Sequence, residues 1–316
     1  MSAGIQSLIS IAKESNWGTP VTPSKSIPVR PTGGITIKNN IQMLPALKGG
    51  LQKYYDAIKG KVAYEGEYTF DAFADLVGYF LLSALGSDTP AAHGSESTVY
   101  DHVFSESATK TSLTIEQGQG ENCRRYAGAL VSGFKLSGKV GEMLEFTPSI
   151  LAKTQASSTQ ISASFSNVPA FNHANLAVKI GGSTIGEVEK FELEYKNGLE
   201  MVYALGNNEP SYYSIQNGSE VTIKMDLYLD TTTLTRLTNY INKTTESIEL
   251  IATGVDTIGN ASHYVLDMLI PKAIYTAGET KITDSHNLLT IEANGIYDTA
   301  TSKLLTPTLT NLVASY

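Results

Sequence analysis

The sequence of 316 residues contains one cysteine, Cys123, and one tryptophan, Trp17. A single thiol excludes an intramolecular disulfide framework and cannot form a metal site by itself. No apolar run reaches the roughly 20 residues that a membrane-spanning helix needs. The N-terminus also lacks the basic region and long apolar core of a secretory signal. We therefore expect a protein that is synthesised in a cytoplasm and has no membrane among its partners.

Basic residues are also scarce, with 23 lysines and arginines against 31 aspartates and glutamates, a net charge of -8 and a pI near 5.2. Tight binding to nucleic acid without sequence preference needs basic side chains that displace phosphate counterions, so the composition argues against that class. One local exception is the loop with Lys48, Lys53 and Tyr54, because lysines can meet phosphates while aromatic rings stack on bases. A contact with another subunit fits the same residues better.

The motifs that mark common active sites are missing from the sequence. It has no His-Glu-x-x-His, no Gly-x-Ser-x-Gly and no Cys-x-x-Cys. The segment from Gly133 to Val140 has the glycines and the lysine of a phosphate-binding loop. However, Val140 offers no hydroxyl for magnesium, and the flanking residues alternate as in a strand. We expect no catalytic residue, no cofactor, no metal and no enzymatic activity.

Two stretches of the sequence repeat one pattern. Residues 54–81 and 212–241 each contain a Tyr-Tyr pair, a turn with glycine, an alternating segment and a helical pattern. Val62 and Asp71 are nine positions apart, as are Val221 and Asp230, so one offset aligns both copies. Alternating apolar and polar residues are typical of a half-buried strand. The sequence therefore predicts an internal duplication.

A helix is predicted after each of these strands. Beyond Asp71 the apolar residues recur at spacings of three and four as far as Ala84, which places them on one helical stripe. Asp71 is suited to be the N-cap, and Gly86 is suited to end the helix in a left-handed conformation. Asp230 is the corresponding cap in the second copy. A strand that leads into a single helix, twice, predicts two similar α+β domains.

Composition divides the chain into four segments. We predict an extended N-terminal arm at 1–32, a first domain at 33–152, a linker at 153–175 that is rich in Ser, Thr and Ala, and a second domain at 176–316. Four prolines prevent a long helix in the arm. Trp17 either packs onto its own domain or anchors the arm on a neighbouring subunit, since tryptophans are frequent interface anchors.

Several segments of the sequence resemble the tail tube proteins of long-tailed bacteriophages. They cover most of the chain and are Trp17-Gly18-Thr19, residues 100–104 followed by 112–115, residues 126–131 and residues 191–199. The resemblance implies an α+β, mainly β fold with two tandem β-sandwich or barrel domains, each with one flanking helix. It also implies a structural virion protein whose subunits join edge to edge, because a closed ring satisfies every open sheet edge.

The resemblance implies specific partners as well. Three copies of a duplicated subunit would close a ring with pseudo-sixfold symmetry, and stacked rings would form the tube through which genomic double-stranded DNA passes without specific binding. The tape measure protein, the tail terminator and the distal tail proteins are further partners that the family implies. The protein would lie in the virion tail after synthesis in the host cytoplasm. The duplication favours a sheathless siphovirus tail.

Glu192 and Glu194 are the candidates for residues that line the lumen. They alternate with Phe191, Leu193 and Tyr195 and hence share the face opposite the core. An acidic wall would let DNA pass where a basic wall would hold it, although the same pattern fits a face turned to outer solvent. The alternative function is a tandem β-sandwich module that binds carbohydrate or a cell surface, for which the 17 tyrosines are numerous enough.

Overall fold

A computed structural model describes residues 7–46, 48–119, 122–282 and 287–316. Strands dominate these ranges, and the two α-helices are short, which confirms the predicted mainly β fold. Neither helix in the described ranges has the length and apolarity to cross a membrane. The first six residues of the predicted N-terminal arm lie outside the described residues.

The first half of the chain contains ten strands and one α-helix. In chain order they are β1 (Ser7–Lys13), β2 (Lys25–Ile27), β3 (Val29–Pro45), β4 (Tyr54–Asp71), α1 (Val77–Leu85), β5 (Gly86–His93), β6 (Glu96–Glu106), β7 (Leu113–Gln119), β8 (Asn122–Lys139), β9 (Glu145–Ala152) and β10 (Thr154–Ser158).

The second half contains a further ten strands and the other α-helix. After a short 3-10 helix (His173–Asn175) they are β11 (Leu176–Ile180), β12 (Ser183–Ile185), β13 (Val188–Lys196), β14 (Leu199–Val202), β15 (Tyr212–Ile215), β16 (Glu220–Tyr228), α2 (Leu234–Asn242), β17 (Thr245–Ile258), β18 (Ser262–Ile282), β19 (Asn287–Gly295) and β20 (Thr306–Asn311).

Both halves have the same antiparallel strand connectivity. Neighbouring strands follow the order β1-β7-β8-β9-β4-β3 in the first half and β11-β17-β18-β19-β16-β13 in the second. The outer strands correspond too, since β2 pairs with β1 as β12 does with β11, and β10 pairs with β8 as β20 does with β18. The repeat seen in the sequence is therefore a duplication of the whole fold.

The repeated strands bury the side chains that the alternation indicates. Tyr68 and Phe70 on β4 are buried, as are Ile223 and Leu227 on β16. Their polar neighbours lie on the opposite face of the sheet. The buried apolar side chains of both halves belong to one continuous cluster, because strands from the two halves pair directly.

The predicted caps of the two helices agree with the structure in part. Gly86 ends α1 with φ 105°, and its amide donates to the Leu82 carbonyl, as predicted. The prediction that Asp71 caps this helix is wrong, because α1 starts only at Val77 and the Asp71 carboxylate accepts a hydrogen bond of 2.8 Å from Arg30. In the second copy the Asp230 carboxylate accepts from the Thr233 amide at 2.7 Å, one turn ahead of α2.

Two features distinguish the halves from each other. The hairpin β5–β6 follows α1 and covers it, whereas α2 leads almost directly into β17. In consequence α1 is nearly all buried, while Leu234 and Ile241 on α2 are 41% and 70% exposed.

The structure also places β10 inside the segment expected to be a linker, where its residues pair with β8.

Candidate assembly surfaces

The strands β8 and β13 join the two halves of the molecule. They pair antiparallel from Gly133 opposite Lys196 to Lys139 opposite Lys190. The strands β3, β4, β9, β8, β13, β16, β19 and β18 are therefore neighbours in one continuous sheet, with four strands from each half. The edge strand of the first half, β8, is thus paired with the edge strand of the second half, β13.

Both outer strands of this eight-stranded sheet have an open edge. Within the described residues β3 pairs only with β4, and residues 275–282 of β18 have β19 on one edge and no strand on the other. By the shared connectivity β3 is the counterpart of β13, and β18 is the counterpart of β8. The two open edges are thus the equivalents of the two edges that pair inside the chain.

Glu192 and Glu194, the candidate lumen residues, lie on the polar face of this sheet. Lys135 on the adjacent strand β8 lies 4.0 Å from the Glu192 carboxylate and 3.8 Å from that of Glu194. Lys196 lies 3.3 Å from Glu194. These carboxylates are partly neutralised by neighbouring lysines, so the face beside the junction has mixed charge.

A second strand pairing also crosses from one half to the other. Strand β20 lies between β18 and β6, and its residues pair with both. The buried ring of His102 on β6 places Nδ1 2.8 Å from the Asp88 carboxylate and Nε2 2.7 Å from the Val313 carbonyl. Because that carbonyl can only accept, Nε2 carries a proton and donates. This contact ties the hairpin β5–β6 to the segment after β20.

Trp17 packs against residues of its own chain in the structure. Its indole Nε1 donates to the Gly128 carbonyl at 3.1 Å, its ring lies edge-on to Tyr213 with centroids 5.4 Å apart, and the Lys153 ammonium lies 4.2 Å from the ring centroid. These are contacts within one chain, and the role of Trp17 as an anchor on a neighbouring subunit stays a prediction.

The connection between β13 and β16 packs onto the first half. The Val62 amide donates to the Asn208 carbonyl at 2.7 Å, and the Tyr203 hydroxyl donates to the Val62 carbonyl at 3.0 Å. The Tyr64 hydroxyl donates to Glu209 at 3.3 Å, and burial raises the pKa of this phenol to about 12, so it remains a donor at neutral pH. This connection covers one end of the first half.

The equivalent connection between β3 and β4 is an exposed hairpin, which we call the ribbon (residues 41–46 and 48–58). It carries Lys48, Lys53 and Tyr54, the residues predicted to contact another subunit, such as one in an adjacent ring. The ammonium of Lys48 lies over the ring of Tyr55, and that of Lys53 lies over the ring of Tyr54. Several apolar side chains of the ribbon are 39–59% exposed; they are Ile41, Met43, Leu44, Tyr54 and Ile58. Leu51 at the tip is fully exposed.

Two adjoining clefts lie at the opposite end of the same sheet, beside the turn that connects β8 to β9. One has a volume of about 210 Å³ and an apolar wall that includes Leu176, Val178 and Val188. The other has a volume of about 280 Å³ and is lined by Met143 together with polar residues. Val140 and Met143 are 52% and 46% exposed. The sequence analysis did not identify this site. Its signal in the sequence was the pair of apolar residues Val140 and Met143, which flank Gly141 in the turn.

Cys123 is buried and lies near Glu116. Burial raises the pKa of its thiol to about 11, which leaves little thiolate at neutral pH. A thiol in this state is a poor nucleophile. Its role in the described structure is that of a small packing residue.

Comparison with known families agrees with the architecture. A family model described as phage tail tube protein matches residues 4–295 of the chain. No curated protein matches the sequence.

Proposed function

The chain belongs to the phage tail tube protein family, and we propose that three copies close into a ring whose stacked assembly forms the tube that conducts DNA. The tail location and the structural role follow from the family. The number of copies, the way the ring closes and the passage of DNA are the parts that we propose here.

The pairing of β8 with β13 inside the chain is the observation that carries the proposal. It joins two copies of one fold through one specific pair of edges, and among the described residues the equivalent edges on β3 and β18 have no partner strand. An open strand edge tends to pair with another chain, and a ring closes all edges by one repeated contact. A ring of three copies would hold six equivalent domains.

The internal junction also provides a register for the contact between copies. The pairings of β3 with β4 and of β13 with β16 make Asn39 equivalent to Tyr195. The first half pairs β4 with β9 and β9 with β8, and the second half pairs β16 with β19 and β19 with β18. Comparing these two sets of pairings makes Phe134 on β8 equivalent to Thr280 on β18. Because Phe134 lies opposite Tyr195 in the chain, we expect Asn39 of one copy to lie opposite Thr280 of the next.

The polar face of the eight-stranded sheet is our proposed lumen wall. One face of the sheet covers the apolar core, which leaves the face with Glu192 and Glu194 available to line a channel. The lysines paired with them lower the net charge, so the wall would neither hold DNA strongly nor repel it over a long range. Screening limits such forces to about 8 Å at physiological salt. Transient contacts with the tape measure protein, the tail terminator and the distal tail proteins belong to the same proposal.

Microscopy of concentrated purified protein, combined with native mass measurement, tests the proposal. We expect rings or tubes in negative stain and a ring mass equal to three chains. Dispersed monomers that bind glycans would favour a tandem carbohydrate-binding module. A ring mass of six chains would contradict the proposed closure, because two domains per chain would then give twelve around the ring.

A further inference from the structure

Helix α2 ends with an apolar side chain that its own chain leaves exposed. Ile241 lies in the last turn of α2 and is 70% exposed. Both α-helices have nine residues and end at a residue in the left-handed conformation, Gly86 with φ 105° and Lys243 with φ 56°. Ile241 therefore corresponds to Ala84 of α1, since each lies two residues before that end, and Ala84 is fully buried.

The two helices also end over equivalent points of their sheets. The Val131 amide on β8 donates to the Ser83 hydroxyl at 3.2 Å. Tyr240 corresponds to Ser83, and a β-carbon added to Gly278 on β18 would lie 3.4 Å from the Tyr240 ring. The strand pairings that run through β9 and β19 make Val131 equivalent to Gly278. The end of α1 thus lies beside the junction strand β8, and the end of α2 lies beside the open edge of β18.

Inside the chain, the second half covers the end of α1. Asn197, which follows β13, is 2% exposed. Its Nδ2 atom donates to the Ala84 carbonyl and to the Val131 carbonyl, both at 2.8 Å. Its backbone amide donates to the Ser132 carbonyl at 3.1 Å. The pairing of β13 with β8 hence continues onto the end of the helix, and one residue ties the strand to the helix.

The residue of the first half that is equivalent to Asn197 is Ile41. Asn39 is equivalent to Tyr195, and Ile41 lies two residues beyond it on β3, as Asn197 lies two residues beyond Tyr195. The register of β3 with β4 shifts at this point, but the extra residue is on β4. Ile41 is 59% exposed. When β3 of one copy pairs with β18 of the next in the register of the internal junction, Ile41 therefore reaches the end of α2, beside Ile241.

A second residue of β3 shows the same difference in exposure. Ile37 lies opposite Tyr64, and Leu193 lies opposite Ile223, so Ile37 and Leu193 are equivalent. Leu193 is 0% exposed at the internal junction, whereas Ile37 is 37% exposed. Side chains that are covered at the junction thus have exposed apolar counterparts on the open edge. This is the pattern of a surface that a second copy of this chain covers.

We propose that Ile241 on α2 packs against Ile41 of the neighbouring copy in the ring, and that this contact makes α2 part of the ring interface. The inference rests on the proposed function, because it extends the proposed pairing of β3 with β18 to the helix beside it. Inside the chain the equivalent place is held by the hydrogen bonds of Asn197. Between copies it is held by the burial of two apolar side chains, which is favourable only when the copies meet.

An aspartate at either position tests the contact. Ile241→Asp and Ile41→Asp each place a carboxylate in the apolar contact, where it would be buried without a partner. Because both sites are exposed in the single chain, we expect each variant to keep the Tm of the wild-type monomer. Native mass measurement should show a loss of about tenfold in the fraction of protein in rings, as for a residue at the centre of an interface.

Val255→Asp is the matched control for these variants. Val255 is an apolar residue that is 63% exposed. It lies ten residues along β17 from Thr245, the first residue of that strand, and hence about 30 Å from the end of α2. We expect rings of this variant to form as in the wild type. Ring fractions of the two aspartate variants that equal that of the control would overturn the proposal.

Cross-linking separates this inference from the proposed function. Ile41→Cys together with Ile241→Cys should give a covalent trimer with a short bis-maleimide, whereas each single variant should run as a monomer, since the native Cys123 is buried. If Asn39→Cys with Thr280→Cys yields a covalent trimer while this pair yields only monomers, the ring closes as proposed and the contact at α2 is refuted. Absence of rings in the wild type would instead refute the proposed function itself.

Discussion

The ring of Tyr316 lies directly against the backbone of Gly78 on helix α1. A β-carbon at position 78 would lie 2.1 Å from the ring, far inside normal contact. The Tyr316 hydroxyl hydrogen-bonds near the same helix, to Asn311 and to the Ala74 carbonyl. Glycine is therefore required at this helical position because a side chain from a distant segment occupies the space.

This relationship predicts opposite effects of one substitution in two backgrounds. Gly78→Ala should destabilise the wild type by about 1–3 kcal/mol, because it overpacks the site. In a Tyr316→Ala background the clash is absent, and alanine should stabilise the helix by about 0.5–1 kcal/mol relative to glycine. Urea unfolding of the four proteins gives the coupling free energy. Equal effects in both backgrounds would show that Tyr316 does not occupy this space.

The junction between the halves depends on Phe134 and Tyr195, whose rings lie 5.2 Å apart. Phe134→Ala should cost about 3–5 kcal/mol, as is usual for a buried aromatic residue. Tyr195→Phe should cost about 0.5–1.5 kcal/mol, because the exposed Glu106 can bind water in place of the hydroxyl that donates to it at 3.0 Å. Phe165→Ala is the control, since Phe165 is 52% exposed. Denaturant unfolding measures all three, and a Phe134→Ala effect as small as the control would contradict the packing.

Asp267 on β18 predicts a pH-dependent stability. Burial and the nearby Glu249 raise the pKa of this carboxyl from 3.8 to about 6. Because the folded-state pKa is above the unfolded value, the folded state binds the proton more tightly, and stability falls as pH rises from about 4 through about 6. Asp267→Asn should therefore raise Tm at pH 8 and leave it unchanged below pH 4. The exposed Asp256→Asn is the control, and a pH-independent effect at Asp267 would exclude this explanation.

The proposed lumen wall predicts how DNA passage depends on Glu192 and Glu194. Changing both to glutamine leaves Lys135 and Lys196 without their carboxylate partners, so the wall becomes basic and DNA ejection should slow. The further change Lys135→Gln should restore part of the rate. Ejection rates from virions carrying these variants provide the measurement. Unchanged ejection in the double variant would remove these residues from the lumen.

Local patterns in the sequence were sufficient to predict the repeated strands and the helices that follow them. The alternation on β4 and β16, the helices that follow and the left-handed Gly86 all depend on residues close together in the chain. Asp71 shows the limit of such patterns, because Arg30, 41 residues away, takes the carboxylate that was expected to cap α1. No pattern near Asp71 indicates that competition.

The assembly surfaces depend on contacts that sequence patterns do not record. Strand β10 consists of Thr, Gln, Ala and Ser, a composition that is common in linkers, and it becomes a strand only because β8 lies beside it. The open edges of β3 and β18 also depend on distant parts of the fold, because an edge is open only where no further strand of the described chain pairs with it. The contacts that Trp17 makes with Gly128, Lys153 and Tyr213 were likewise not predictable from local sequence.

Disulfide trapping between copies tests ring closure most directly. Residues opposite each other in an antiparallel pair have Cα atoms about 4.5–5.5 Å apart, within the range of about 4.4–6.8 Å that a disulfide spans. Oxidised rings of the Asn39→Cys, Thr280→Cys double variant should therefore run as a covalent trimer in denaturing gels without reductant. Each single variant should run as a monomer, since the native Cys123 is buried. Rings of the double variant that yield only monomers after oxidation, or covalent species of six chains, would contradict the account.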